Sequence, residues 1–177
     1  MKNLKIIILT LVIAAAAGIL GAVIFIFSGV YNIAANEPHN KLTLWMIDEM
    51  RERSVEVRAE GIDVGSLNDP GLVELGFSHY HGMCQDCHGG PGYDTEEFAQ
   101  GLYPRPPSMA GEDAQELSDA ELYWIIKNGL KMTGMPEFGS THSEKALRAL
   151  VAFTRRIPKM EVKEYEEMVN KLAAQSH

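Results

Sequence analysis

No charged residue occurs between Lys5 and Glu37, and 19 of the 22 residues from Ile6 to Phe27 are apolar. That window also contains no proline. As a helix rising about 1.5 Å per residue it would span about 33 Å, close to a bilayer core of roughly 30 Å. A signal peptide has a shorter apolar region, followed by a small-x-small cleavage site. Here the first exit is Ile33-Ala34-Ala35, where Ile33 fits the outer small position badly. The segment therefore predicts an uncleaved anchor. Lys2 and Lys5 hold the amino terminus in the cytoplasm, which places the rest of the chain outside the inner membrane, facing the periplasm.

The remainder has an ordinary soluble composition and is large enough for one modest domain. From Tyr31 onward it holds 14 Lys and Arg against 24 Asp and Glu. Nucleic-acid binding needs clustered cations, so this balance argues against it. The two cysteines, Cys84 and Cys87, are three positions apart and cannot staple distant parts of a fold.

The organisation reads as helical. Residues 41–53 carry Leu44, Ile47 and Met50 at near-helical spacing, and 54–58 alternate Val55 and Val57 as an extended piece would. Asp69-Pro70 opens a helix running toward Cys84, with a capping carboxylate followed by proline at the first helical position. Glycines and prolines from Gly89 to Gly111 exclude a long regular element there. Ser118 with Glu121 forms a capping box for a helix ending at Asn128-Gly129, and Thr141 with Glu144 predicts another. The latter helix holds Leu147, Leu150, Val151 and Phe153 and ends before Pro158. The charged segment 161–174 predicts a surface helix.

Cys84-Gln85-Asp86-Cys87-His88 is a C-x-x-C-H sequence, the pattern of covalent haem attachment. Two thiols one helical turn apart can reach two vinyl groups along one porphyrin edge, and the adjacent histidine can then ligate the iron. A thioredoxin-like pair needs a βαβ setting that is missing. A zinc site needs two further ligands. A plain disulfide leaves His88 unexplained.

A sixth ligand must come from the other methionines and histidines. Met135 lies in Gly134-Met135-Pro136, an irregular loop between two capped helices, and a residue preceding proline is held extended. Met132 is the near rival. Met109 sits in the proline-rich loop, and Met83 is too close to Cys84 to reach the opposite haem face. Ligation by two histidines, through His142, His79 or His81, is the alternative.

Several ordered motifs across residues 69–158 resemble a class I cytochrome c of the bacterial membrane-anchored type. Gly76 and Tyr80 precede Cys84 by eight and four residues, CHGGPG continues the motif, GLYPRPPSM (101–109) resembles the proline loop, and ELYWIIKNGLKMTGMPEFG (121–139) resembles the ligand segment. The resemblance implies one covalently attached haem c, with Cys84 and Cys87 binding it and His88 and Met135 as iron ligands. It implies that a carbonyl at or beside Pro106 accepts from His88, that Phe153 crosses the first helix near Gly76, and that Tyr103, Arg105 and Trp124 are candidate haem-edge contacts.

The expectation is thus an all-α, class I cytochrome c fold behind an N-terminal transmembrane helix. Its parts are a cytoplasmic terminus (1–5), an anchor (6–30), a linker and pre-core segment (31–67), the cytochrome c domain (68–158) and a charged C-terminal helix (159–177). The expected role is transfer of single electrons between respiratory-chain redox partners, an oxidase, reductase or dehydrogenase with a basic docking patch, without catalysis on a small substrate. The alternatives are a fixed haem subunit of a larger membrane oxidoreductase and a haem protein with an open sixth position.

Overall fold

The structure is a computed structural model that describes residues 2–175; residue 1 and residues 176 and 177, the end of the expected C-terminal helix, lie outside the described residues. The chain divides after Pro38 into two compact units. The first contains α1 (Lys2–Ser28), a helix with no residue buried by protein and long and apolar enough to cross a membrane.

The second unit begins at His39 and is helical, with no strand among the described residues. Its helices are α2 (Lys41–Ala59), α3 (Pro70–Met83), the single turns α4 (Gln85–His88), α5 (Glu97–Gln100) and α6 (Glu112–Gln115), then α7 (Asp119–Asn128), α8 (Glu144–Arg156) and α9 (Val162–Gln175). Asn40, Asp69, Ser118 and Ser143 cap α2, α3, α7 and α8 with side-chain oxygens that accept backbone N–H groups of the first turn.

The crossing of α3 over α8 organises the core. A Cβ built on Gly76 would lie 2.0 Å from the Ala149 carbonyl oxygen and 2.8 Å from Phe153 Cβ, so only glycine permits this approach. Phe77, Tyr80, Leu150 and Phe153 fill the crossing together with Tyr165 of α9. On the other side of α8, Leu147 and Val151 pack with Leu122 and Tyr123 of α7 and with Val64. Arg155 fixes the corner before α7: its Nε donates to Asp119 Oδ1 at 2.6 Å, and it also donates to the Gln115 and Leu117 carbonyls.

Two local readings change. The 54–58 stretch is not extended, since α2 continues to Ala59. Val55 and Ala59, one turn apart, are both buried, and this packing overrides the strand preference of alternating valines. Thr141 does not cap α8; its Oγ1 contacts His142 Nδ1 at 2.8 Å, and Ser143 Oγ accepts from Ala146 N instead. In α9 the charged sequence conceals Tyr165, which is fully buried.

Candidate haem site

Helix α3 ends at Cys84, whose N–H donates to the Tyr80 carbonyl at 2.8 Å. The chain turns immediately into α4, with Cys87 N and His88 N both donating to the Cys84 carbonyl, at 3.1 and 2.9 Å. That turn places the two free thiols about one helical turn apart. Gly89, at φ 69°, then reverses the chain. Tyr80 Oη donates to the Gly89 carbonyl at 2.8 Å, locking this exit from beneath.

Gln85, inside the motif, is held from two sides. Its Oε1 accepts from Tyr165 Oη at 2.5 Å and from His81 Nδ1 at 2.6 Å. The Tyr165 ring lies against Gly90, where an added Cβ would come within 3.0 Å of it, and Val162 occupies the space beside Gly92. The C-terminal helix therefore braces the motif. Sequence reasoning missed this role for Gln85 and Tyr165; the only hint was two glycines directly after the histidine.

His88 Nδ1 donates to the Pro107 carbonyl at 2.8 Å. The accepting carbonyl belongs to the neighbour of Pro106, as the resemblance implied. Burial pulls the His88 imidazole below its ordinary pKa, while the Pro107 bond opposes that pull. The ring is therefore neutral near pH 7, with Nε2 left as a Lewis base. Burial, reinforced by Cys87, pushes the Cys84 thiol up to about 12.

Met135 lies in a loop folded back on the end of α7. Gly129, at φ 64°, lets residues 135–137 pass so closely that an added Cβ would sit 2.7–2.8 Å from their backbone atoms. Leu130 N donates to the Met135 carbonyl at 3.2 Å, Met135 N to Thr133 Oγ1 at 3.1 Å, and Phe138 N to the Ile126 carbonyl at 3.3 Å. Leu102, from the proline-rich loop, packs on Gly134, so the loop that holds His88 and the loop that holds Met135 meet.

The other candidates have different surroundings. Met132 forms the loop tip at φ 61° and is 92% exposed. Met109 packs against the α3–α8 core, and Gln115 Nε2 donates to its carbonyl. His81 stacks on Phe77 with centroids 5.6 Å apart, and His79 meets His142 edge to face at 5.2 Å. Tyr103 Oη accepts from His39 N at 3.1 Å, and Arg105 lies beside the Gln100 carbonyl. Trp124, on α7, is half-buried.

A family model described as cytochrome C oxidase, cbb3-type, subunit III matches residues 71–153, from the first turn of α3 through most of α8. These residues form a class I c-type cytochrome domain. No curated protein matches the chain. The cytochrome domain binds haem c and transfers electrons through it. The donor set fits that group: two free thiols on one turn, an imidazole oriented by a carbonyl, and a thioether in an adjoining loop. The helix that braces the motif, α9, lies outside the matched residues, as does α2.

Proposed function

We propose that the protein is a membrane-tethered, periplasm-facing monohaem cytochrome c that carries single electrons between respiratory-chain redox partners. Cys84 and Cys87 would hold the haem through thioethers, and His88 Nε2 and Met135 Sδ would be the ligands to its iron. The observation that carries this reading is the His88–Pro107 hydrogen bond, which fixes the ring tautomer and aims the free nitrogen away from the proline loop. When bound, the haem supplies a one-electron ferric–ferrous couple. Met135 would supply the second iron ligand, a thioether that would keep substrates off the iron and raise its potential relative to two histidines. The domain's acidic excess favours a partner with a basic docking patch, and association by that attraction weakens with salt. Tyr103, Arg105 and Trp124 serve as haem-edge contacts.

The test is retention of haem by the denatured polypeptide after acid-acetone extraction, together with an intact mass raised by one haem. A mass equal to apoprotein, in a host that matures c-type cytochromes, refutes the attachment. Turnover of a small substrate by the purified low-spin protein refutes the carrier role. The matched family's description as an oxidase subunit favours a second reading, a fixed subunit of an oxidoreductase complex. A stoichiometric redox partner surviving purification in mild detergent selects it.

A further inference from the structure

Helix α2 exposes apolar side chains on the side opposite its buried ones. Its buried residues, Val55 and Ala59, lie on one side. The other side carries Leu42, Met46, Met50 and Val57 on one face, with Trp45 at its edge and Arg53 between Met50 and Val57. Each of these five is between 48% and 64% exposed. None of the first thirteen residues of α2 is buried, and four of these five lie within them. Scattered exposed apolar residues need no explanation, but Leu42, Met46 and Met50, each one turn from the next, form a stripe that does.

The chain itself points to what covers the stripe. Twelve residues, 29–40, separate the end of the apolar helix α1 from the start of α2. Fully extended, they reach roughly 40 Å. The stripe begins at the second residue of α2, so a membrane holding α1 is always within reach of it. The linker adds Val30 and Ile33, both exposed. Tryptophan at the margin of such a face suits the membrane–water interface. Helix α2 holds four basic residues (Lys41, Arg51, Arg53, Arg58) and four acidic ones (Asp48, Glu49, Glu52, Glu56), so apolar burial rather than attraction to anionic headgroups would hold it there.

We infer that the Leu42–Met46–Met50–Val57 face of α2 is a lipid-binding surface that lies in the interfacial layer of the same membrane that holds α1. The inference rests on the reading of α1 as an anchor. Its consequence is mechanical. The N-terminus of α2 is fixed to the proline-rich loop, where His39 N donates to Tyr103 Oη and the His39 and Tyr103 rings meet at 5.2 Å. Seating the stripe in lipid therefore holds the haem domain at the membrane surface in a preferred orientation and restricts its swing on the tether. That favours partners whose redox centres lie close to the bilayer.

The experiment uses the full-length holoprotein in phosphatidylcholine nanodiscs, with single cysteines at Met46→Cys, Met50→Cys, Glu52→Cys and Val12→Cys carrying nitroxide labels and the haem reduced to its diamagnetic state. Power saturation compares collisions with lipid-soluble oxygen and with a water-soluble nickel chelate. The expected oxygen-to-nickel ratio at positions 46 and 50 is several-fold above that at Glu52 and shifted toward that at Val12. Ratios at 46 and 50 equal to that at Glu52, with Val12 high, refute the lipid face and leave the anchor standing. Low collision rates with both reagents at 46 and 50 assign the stripe to a protein partner or a second copy and also refute it. A low ratio at Val12 overturns the anchor and the inference together.

Discussion

Replacing Gly76 with alanine tests whether the α3–α8 crossing supports the whole site. The added Cβ would stand 2.0 Å from the Ala149 carbonyl oxygen, and the obstruction is backbone, which cannot rotate aside. An ordinary C···O approach is about 3.3 Å, so the helices must separate by roughly 1.3 Å. A gap of that order forfeits half or more of the dispersion energy across Phe77, Tyr80, Leu150 and Phe153. Overpacking of this kind costs typically 1–3 kcal/mol, and a backbone obstruction belongs at the top, at about 3 kcal/mol. Alanine's better helix propensity offsets about 1 kcal/mol. The net loss of about 2 kcal/mol corresponds to a melting temperature lower by about 8 °C for a unit of this size. Soret-region circular dichroism of the holoprotein during heating follows this unit and ignores α1. A Gly76→Ala protein melting within about 2 °C of the parent would refute the argument, because the helices would then be able to part without cost.

Met135→Ala should abolish the far-red sulfur-to-iron charge-transfer band and admit cyanide or carbon monoxide, whereas Met132→Ala, at an exposed loop tip, should leave both unchanged; visible spectra and ligand titrations decide between them. Tyr165→Phe removes the donor to Gln85 and should cost about 1 kcal/mol, while Tyr165→Ala, which empties a fully buried site, should cost about 3–5 kcal/mol; thermal melts read both. Burial first, and His142 second, hold His79 below its ordinary pKa of 6.5. The unfolded chain therefore binds a proton before the native one does as pH falls through 6.5, so stability declines there and levels off below the lowered native value. A series of melts from pH 7.5 downward should show that decline, and His79→Gln should lessen it.

The sequence by itself determined whatever depends on neighbours along the chain. The apolar run from Ile6, the cap at Asp69-Pro70, the Ser118–Glu121 box and the spacing of Cys84, Cys87 and His88 are local patterns, and each reads directly because its chemistry is completed within a few residues. Gly76 was legible as a close approach only through the resemblance, since nothing adjacent to it names Ala149 as the obstruction. Tertiary structure alone decided the rest. Val55 and Ala59 are helical because a packed surface outweighs a weak strand preference, and Thr141 lost the cap to Ser143 because its hydroxyl had found another partner. Which proline carbonyl meets His88 depends on how a nineteen-residue loop returns. Tyr165 reaches Gln85 across eighty positions, a contact that a charged, amphipathic segment cannot announce. Local free energies are set by short-range sterics and hydrogen bonds and are written in the order of residues. The bracing of a haem site comes from surfaces that meet only after folding, so their partners become visible only in three dimensions.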